Sequence, residues 1–310
     1  MKKLEQKVIL VTGAAGFIGS HLVTRLSKIP GVKLLLFSRQ ARPFAHQNSL
    51  WLNGELGQLT PEYWHSHGIS QIDNVFHFGG FTPKSELEAN LINNTIKDNI
   101  LGTSKLLLSF PGKIEKLVFS STLDVYSRPE NGVVLTEDSA IKPASLYGLS
   151  KLFCEQMVSV WAKEKGCDCS ILRFGHIYGP GEEKYLKLIP IVIRALLENQ
   201  SPVIFGDGSA LRDYLYVADA VEATVRACLL EKDSGILNIV SGTSVTLKEI
   251  VELIIELAGK KIEIRYKKEK PNGTSFRFDN HMMTSFLGNW PLIGLKDGLA
   301  AEIATFSGSR

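Results

Sequence analysis

A tyrosine and a lysine four residues apart, Tyr147 and Lys151, could carry out proton transfer. They lie in the segment SLYGLSK, within an amphipathic stretch that predicts a helix. Positions i and i+4 of a helix share one face, so the phenol and the ammonium would point into the same space. A nearby ammonium favours phenolate and lowers the tyrosine pKa toward values useful for acid–base catalysis. The same spacing also occurs in ordinary amphipathic helices, so the pair alone leaves both interpretations open.

Hydroxyl side chains upstream could complete such a site. The segment FSSTLDVY, residues 119–126, includes the end of an apolar run typical of a strand. A hydroxyl at this strand end, from Thr122 or Ser121, could hold a substrate carbonyl or hydroxyl beside Tyr147. Serines and threonines also terminate strands without any chemical role, and that alternative stays open here.

A glycine turn near the N-terminus predicts a nucleotide site. Gly13, Gly16 and Gly19 follow the apolar run 8–11, and helical spacing begins at Ile18. Such a strand–turn–helix brings backbone N–H groups and a helix N-terminus to a pyrophosphate. The first gap is one residue longer than in the G-x-G-x-x-G fingerprint, and a plain tight turn is the alternative.

The elements that must position these groups alternate between strand and helix up to about residue 178. Apolar runs predict strands at 34–37, 75–78, 117–119 and 170–174. Amphipathic stretches predict helices at 91–110, 147–165, 217–230 and 247–258. This alternation predicts a doubly wound parallel sheet with ligands at the carboxyl ends of its strands. Proline and glycine break up the chain after Gly179, which predicts a smaller second lobe. We therefore expect a dinucleotide-binding domain over 1–178 plus about 215–232, and a substrate-binding lobe over 179–214 and 233–310.

Composition narrows the class of protein. With 310 residues, 44% hydrophobic and 22% charged, the chain is long enough for two lobes of a globular protein. A net charge of +3 is too small to indicate a nucleic-acid partner, and no apolar run is long enough for a membrane span. The N-terminal run enters a strand directly, unlike a signal peptide, so a cytoplasmic location is expected. The four cysteines show neither a disulfide framework nor metal-ligand spacing, so no metal is predicted.

Several motifs in order resemble the extended short-chain dehydrogenases/reductases, the nucleotide-sugar epimerase/dehydratase/reductase group. The resemblance covers nearly the whole chain and rests on TGAAGFIGSH (12–21), NGEL (53–56), VFHFGG (75–80), DNILGT (98–103), FSSTLDVY (119–126), SLYGLSK (145–151), ILRFGHIYGPG (171–181), GDGSALRDYLYVADA (206–220) and NIVSG (238–242). It implies a Rossmann-like doubly wound sheet with a smaller mixed α/β C-terminal lobe.

The resemblance also implies roles for individual residues. Tyr147 would be the acid/base, Lys151 would hold the nicotinamide ribose, and Thr122, with Ser121 as the fallback, would orient the reacting oxygen. Residues matching the family's cofactor site are Gly13, Ala15, Gly16, Phe17, Ile18, Gly19, Ser38, Arg39, Glu55, Leu56, Phe78, Gly79, Gly80, Asn99, Ser120, Tyr147, Lys151, Phe174 and His176. Residues matching its substrate site are Thr82, Asp124, His176 and Arg212.

Within that set, Glu55 and Leu56 would lie near the adenine, and residues 77–80 would line the dinucleotide. Arg212 would contact a substrate diphosphate, because its planar fork meets phosphate oxygens two at a time. An ion pair between Arg212 and Asp213 is the structural alternative.

The end of the second predicted strand departs from the pattern of NAD enzymes. Such enzymes usually carry an acidic residue there, which binds the ribose 2′-hydroxyl. This chain has Ser38, which can donate to a 2′-phosphate, and Arg39, which can neutralise one. NADP is therefore predicted, with NAD as the alternative because some relatives use NAD without the acid.

Two further departures concern the substrate. Leu123 stands where the related 4,6-dehydratases carry their acid, although Asp124 follows it, so dehydration is not expected. His176 replaces an asparagine that contacts substrate in many relatives, and it could be a substrate ligand, a secondary acid or a packed residue.

Together these features predict an NADPH-dependent reductase of a keto-(deoxy)sugar nucleotide. A nucleotide-sugar 4-epimerase with retained NAD is the first alternative, and a non-catalytic dinucleotide sensor is the second. The resemblance also implies a homodimer through the two long helices, with Leu106, Leu107, Phe153 and Met157 as candidates for an apolar seam.

Overall fold

Fourteen strands are present in a computed structural model that describes residues 1–40, 47–83, 91–130, 132–183, 185–231, 234–267 and 273–308. They are β1 Val8–Thr12, β2 Lys33–Ser38, β3 Ser49–Asn53, β4 Asn74–His77, β5 Lys116–Thr122, β6 Val134–Leu135, β7 Asp168–Phe174, β8 His176–Tyr178, β9 Val203–Phe205, β10 Leu211–Tyr216, β11 Gly235–Ile239, β12 Ser244–Thr246, β13 Arg265–Lys267 and β14 Arg277–Phe278.

The helices alternate with these strands. They are α1 Phe17–Leu26, α2 Pro61–Ser66, α3 Ile92–Asn94, α4 Gly102–Ser109, α5 Leu146–Lys165, α6 Leu188–Leu197, α7 Val217–Leu229, α8 Leu247–Leu257, α9 His281–Leu287 and α10 Leu295–Gly308. A π-helical segment, Thr95–Leu101, joins α3 to α4. The predicted single helix over 91–110 is corrected accordingly, since the wider π turn departs from the 3.6-residue spacing on which that prediction relied.

Seven strands form one all-parallel sheet in the order β11-β7-β5-β4-β1-β2-β3. Alternate residues of β1 face opposite sides: Ile9 and Val11 belong to one core cluster and Leu10 to the other. Both faces are therefore buried, which explains why the strands are continuous apolar runs. The predicted Rossmann-like doubly wound sheet is confirmed, and the order reverses at β1, between β2 and β4.

Smaller sheets and the later helices lie beyond this sheet. Strands β12, β10 and β8 form a three-stranded sheet, and helices α6, α8 and α10 supply residues to a separate apolar cluster. The proposed division into two lobes stays a prediction. The predicted bounds place β11 in the substrate lobe, but β11 hydrogen-bonds to β7 and forms an edge of the large sheet. Its buried Leu237 and Ile239 explain this placement, since they extend the core of that sheet.

The glycine turn lies against the loop after β4 and tolerates no side chain there. Gly13 has φ of +68°, and a Cβ added to it would lie 2.6 Å from the carbonyl carbon of Phe78 and 2.8 Å from the nitrogen of Gly79. A Cβ on Gly19 would lie 2.2 Å from the carbonyl oxygen of Gly13. These glycines therefore let α1 and the β4 loop approach β1 closely, as the predicted dinucleotide site requires.

No helix within the described residues is both long and apolar enough to traverse a lipid bilayer.

We expect Gly13→Ala to destabilise the protein by about 2 kcal/mol or more, because it adds backbone strain to a backbone clash. Urea unfolding monitored by circular dichroism measures this change. Gly57→Ala is the matched control, since a Cβ there meets nothing within 4 Å, and it should stay within about 0.5 kcal/mol of the parent. Equal unfolding midpoints for the two variants would contradict the close approach at Gly13.

Candidate active site

The predicted cofactor residues gather at the carboxyl ends of the central strands. Gly16 caps α1 without a side-chain hydrogen bond, so the N-terminus of this ten-residue helix presents N–H groups to an anion. Gly79 donates its N–H to Thr12 Oγ1 at 3.0 Å, which ties the β4 loop to the end of β1. This arrangement of turn, helix end and neighbouring loop fits the pyrophosphate of a dinucleotide.

Tyr147 lies in the first turn of α5, next to two hydroxyl groups. The hydroxyls of Thr82 and Thr122 lie near its phenol and act to lower its pKa. Thr122 ends β5, and its Oγ1 also accepts from the N–H of Asp124 at 3.2 Å. Ser145 caps the helix by accepting from the N–H of Gly148 at 2.9 Å. The predicted pairing of a phenol with the Thr122 hydroxyl is therefore present, with Thr82 beside it.

Gly148 lets the start of α5 approach the end of β5, and the motifs gave no role to this residue. A Cβ at this position would lie 2.4 Å from the backbone oxygen of Asp124. The absence of a side chain lets the start of α5 pack directly on the turn that follows β5. A glycine inside a helix lowers its stability by up to about 1 kcal/mol relative to alanine. A glycine in the middle of the predicted helix was therefore the signal in the sequence that the backbone is closely packed there.

Lys151 is buried one turn further along α5. Its Nζ lies 4.6 Å from the centre of the Phe119 ring. Burial lowers the pKa of Lys151 to about 8, while the charge of Glu155 opposes that shift. The amine is thus a cation near neutral pH that loses its proton far more easily than a surface lysine.

The pKa of Tyr147 departs from the sequence-based expectation. Burial and the nearby charge of Asp124 raise it above its ordinary value, although the hydroxyls of Thr82 and Thr122 act in the opposite direction. The predicted net lowering of the Tyr147 pKa is therefore wrong. Tyr147 holds its proton at neutral pH, because its buried phenolate would be poorly solvated.

Ser121, the fallback hydroxyl, is engaged elsewhere. It donates to Glu155 Oε1 at 2.5 Å, and the same carboxylate pairs with Arg173 through contacts of 2.9 and 2.7 Å. Arg173 also donates to the hydroxyl of Tyr126 at 2.9 Å. Glu155 and Arg173 are almost fully buried, so removing either partner should leave an unpaired buried charge. The Ser121 assignment is corrected: this network anchors α5 to β5 and β7 instead.

Asn99, a predicted cofactor residue, lies in the π segment and makes its observed contacts with protein. Its Nδ2 donates to Ser150 Oγ at 2.9 Å and to the backbone oxygen of Phe81 at 3.1 Å. Its Oδ1 accepts from the N–H of Phe81 at 2.6 Å. Asn99 therefore fixes the loop that carries Thr82 relative to α5.

Phe78 and Phe174 bring the ends of β4 and β7 together, with ring centroids 5.6 Å apart. His77 was expected to line the dinucleotide with its neighbours. Its ring is instead fully buried and hydrogen-bonds to Thr12 at 2.7 Å and to Thr103 at 2.9 Å. Burial and the charge of Lys151 lower its pKa to about 3, so the neutral ring bridges structural hydroxyls.

Four charged residues surround the end of the site where the resemblance places the adenosine. Arg39 follows β2 and pairs with Asp98 at 3.1 Å, and Glu55 follows β3 and pairs with Lys97 at 2.7 Å. Ser38 accepts weakly from the N–H of Gln40 at 3.5 Å. Leu56 is buried, and its side chain packs against Gly79 and Gly102. Arg42, which could assist Arg39 in neutralising a 2′-phosphate, lies outside the described residues.

Two of the four predicted substrate residues, His176 and Arg212, lie on the neighbouring small sheet. His176, the first residue of β8, is exposed and its ring lies 5.7 Å from that of Tyr214 on β10. Desolvation by the surrounding protein and the positive charges of Arg212 and Lys187 lower the pKa of His176 below its usual value, which favours the neutral ring. Water still reaches the ring, which weakens this effect without reversing its direction.

Arg212 does not pair with Asp213, so that alternative is wrong. Asp213 accepts from the N–H groups of Ser241 and Gly242, each at 2.8 Å. Arg212 donates to the backbone oxygens of Leu211 and Thr274 and lies over the ring of Phe276 at 5.4 Å. The carboxylate of Asp213 is thus engaged by the backbone, and the charge of Arg212 is left to act on the cleft.

Lys187 was missed by the sequence analysis. It pairs with the buried carboxylate of Glu182 at 2.9 Å, and its Nζ lies 5.5 Å from the rings of Phe17 and Tyr185. No motif marks it, since it joins the cleft only because the loop after β8 folds over the start of α1. Across the described ranges, no cluster of three or more His, Cys, Asp or Glu residues has the arrangement of a metal site.

Comparison with known proteins gives the same family that the sequence motifs resemble. Residues 9–239 match the family described as the NAD dependent epimerase/dehydratase family. A curated relative, the putative UDP-glucose 4-epimerase of Methanocaldococcus jannaschii, is 30% identical over 94% of this chain and 96% of its own length.

Solved structures extend this similarity to the fold. The UDP-N-acetylglucosamine 4-epimerase of Methanobrevibacter ruminantium, in complex with UDP-N-acetylmuramic acid, has a TM-score of 0.88 at 26% identity and covers 99% of this chain and 100% of its own. The UDP-glucuronic acid 4-epimerase of Bacillus cereus, in complex with UDP-glucuronic acid and NAD, has a TM-score of 0.85 at 25% identity, with 97% and 99% covered. The predicted resemblance to extended short-chain dehydrogenases/reductases is confirmed, while the roles of individual residues stay predictions.

We expect one lysine of the dinucleotide-free protein to titrate near pH 8, because burial lowers the pKa of Lys151 to about 8. NMR of protein carrying isotope-labelled lysine measures this titration. The signal should vanish in Lys151→Met and persist in Lys113→Met, which removes an exposed lysine. Titration of every lysine near its ordinary value would contradict the burial of the amine.

Proposed function

Because this chain belongs to the NAD dependent epimerase/dehydratase family, we propose that it is a nucleotide-sugar 4-epimerase that retains NAD. The meeting of the Tyr147 phenol with the Thr122 hydroxyl carries this proposal. Reversible oxidation of one carbinol needs one acid/base and one orienting hydroxyl, and Tyr147 and Thr122 would supply them. The 4-epimerases among its relatives and structural neighbours support the same reaction.

The absence of the dehydratase acid favours this chemistry over elimination. Leu123 is buried where the dehydratases carry their acid, and the side chain of Asp124 lies one position further along. A dehydratase needs a second proton donor for the leaving hydroxyl, whereas an epimerase moves one proton out and back at the same oxygen.

In this mechanism, the glycine turn and Lys151 would hold NAD, which when bound would supply reversible hydride transfer at the sugar carbon. Thr122 would hold the reacting hydroxyl next to Tyr147, whose phenolate form would take the proton during oxidation and whose phenol form would give it back during reduction. Lys151 would hold the nicotinamide ribose, and its positive charge would favour the phenolate that oxidation requires, against the burial that raises the Tyr147 pKa. Arg212 would bind the diphosphate of the sugar nucleotide and keep it in the cleft while the keto-sugar turns.

An NADPH-dependent reductase of a keto-(deoxy)sugar nucleotide is the second candidate. Ser38 and Arg39 favour it, because an exposed guanidinium after β2 can neutralise a 2′-phosphate. Tyr147 would then only donate a proton to the nascent alkoxide. The two functions differ in whether the dinucleotide stays bound or exchanges at each turnover.

We also propose a homodimer formed through α5 and the α3–α4 region. These helices expose large apolar side chains on their outer faces, namely Ile92, Ile96, Leu101, Leu108, Leu149, Phe153 and Val160. Leu106 and Leu107 are buried inside the monomer and Met157 packs on the same core, so of the four candidate seam residues Phe153 is the exposed one. An apolar stripe of this kind on paired helices is typical of a protein–protein interface.

We expect the purified protein to interconvert UDP-glucose and UDP-galactose, or their N-acetylated analogues, without added dinucleotide. Tyr147→Phe should lower kcat by about 10² to 10⁴-fold, because it removes the proton-transfer group, and should leave dinucleotide binding nearly unchanged. Product analysis by NMR and ultraviolet measurement of dinucleotide retained after dialysis provide the readouts.

The matched control for this experiment is Tyr63→Phe, whose hydroxyl donates to the backbone of Asn53 outside the cleft and should leave kcat unchanged. Exchangeable NADPH with stoichiometric reduction of a keto-sugar nucleotide would favour the reductase instead. Unchanged turnover in Tyr147→Phe would refute its acid/base role in either reaction.

We expect Phe153→Glu to convert the dimer to monomer, because it places a charge in the apolar stripe. Sedimentation velocity measures the change, and circular dichroism should show an intact fold, since the Phe153 side chain is more than half exposed. Val134→Glu, which also replaces an exposed apolar side chain but lies outside these helices, should leave the assembly unaltered. A parent protein that sediments as a monomer would contradict the interface.

A further inference from the structure

Four charged side chains lie together at the adenosine end of the site, and the motifs do not explain why they pair as they do. We call Arg39, Glu55, Lys97 and Asp98 the adenosine-end cluster. It consists of two cross-element pairs: Arg39 with Asp98 at 3.1 Å, and Lys97 with Glu55 at 2.7 Å. Lys97 and Asp98 are successive residues of the π segment, whereas Arg39 and Glu55 follow adjacent parallel strands.

Arg39 stands immediately after β2, where enzymes of this fold recognise the 2′ position of the adenosine ribose. By itself, an arginine next to Ser38 favours the 2′-phosphate of NADP. In the folded protein, however, the guanidinium already has an anionic partner. The Asp98 side chain is 18% exposed and the Arg39 side chain 60%, so the acid is the better anchored member of the pair.

A 2′-phosphate would need Arg39 for neutralisation and would have to compete with Asp98 for it. It would also bring its own negative charge close to the Asp98 carboxylate, and like charges held together at a binding site are costly. The 2′-hydroxyl of NAD carries no charge and leaves the pair intact. The ion pair therefore penalises NADP without requiring the acidic residue that β2 lacks.

We propose that Asp98 is a specificity-determining residue that makes this site prefer NAD by holding Arg39 in an ion pair. The inference rests on the dinucleotide site of the proposed function, but it is independent of which sugar is the substrate. It also accounts for a chain in which β2 ends at Ser38 and Arg39 follows, in a family whose members bind NAD.

The test compares dissociation constants for NAD⁺ and NADP⁺, measured by isothermal titration calorimetry on full-length protein freed of co-purified dinucleotide. The parent should bind NAD⁺ more tightly. Asp98→Asn keeps the shape and removes the charge, so it should raise the affinity for NADP⁺ relative to NAD⁺ by about tenfold. Adding Arg39→Gln should abolish that gain, because the gain depends on the released guanidinium.

Three control variants distinguish the Arg39–Asp98 ion pair from a general effect of charge at this end of the site. Asp98→Glu retains the charge and should keep the parental preference. Glu55→Gln removes a neighbouring acid that pairs with Lys97, so it should shift the ratio much less than Asp98→Asn does. Arg39→Gln alone should not improve NADP⁺ binding, since the Asp98 charge remains; this variant tests the idea even if Asp98→Asn folds poorly.

Several results would overturn the inference: a parental preference for NADP⁺, an unchanged ratio in Asp98→Asn, or an equal shift in Glu55→Gln. Tight, selective NAD⁺ binding together with no sugar-nucleotide turnover would instead refute the proposed reaction while leaving the role of Asp98 supported. Binding of neither dinucleotide by the parent would refute both.

Discussion

The candidate site depends on how closely the start of helix α5 docks onto the end of strand β5. Gly148 allows the helix to lie against the backbone oxygen of Asp124, where even a methyl group would clash. Further along the same helix, Ser150 is held by Asn99, and Glu155 is held by Arg173 and Ser121. These contacts fix the rotation and depth of α5, and so they determine where Tyr147 and Lys151 point.

Burial on this helix has opposite effects on the two groups that the chemistry needs. It disfavours the charged form of each, so the Tyr147 pKa rises and the Lys151 pKa falls to about 8. The phenol therefore keeps its proton at neutral pH, and the amine loses its proton more easily than an exposed lysine does. Because Glu155 is compensated by Arg173 within the core, the protein can place this carboxylate one turn from Lys151 without leaving an unpaired charge.

The two ends of the cleft use charge differently. At the substrate end, Asp213 is satisfied by backbone N–H groups, which leaves the charge of Arg212 available to an anionic ligand. At the adenosine end, Asp98 occupies Arg39 with an ion pair. An arginine is thus available to a ligand at the substrate end and engaged in an ion pair at the adenosine end. The two ends differ because Asp213 binds backbone N–H groups, whereas Asp98 binds the arginine.

The sequence alone determined the parallel sheet and the glycine turn, because these features follow from periodicity and local spacing. The grouping of Tyr147, Lys151 and Thr122 in one site is a prediction that follows from the resemblance to the family. The sequence could not determine the engagement of Ser121 by Glu155, the neutral bridge at His77, the separation of Arg212 from Asp213, or the partner of Arg39. Each of these depends on residues that are distant in the chain or on backbone groups that only packing brings near. Local patterns fix which face a side chain occupies, whereas hydrogen bonds and charge pairs are decided at distances of about 3 Å, where the tertiary structure alone sets the geometry.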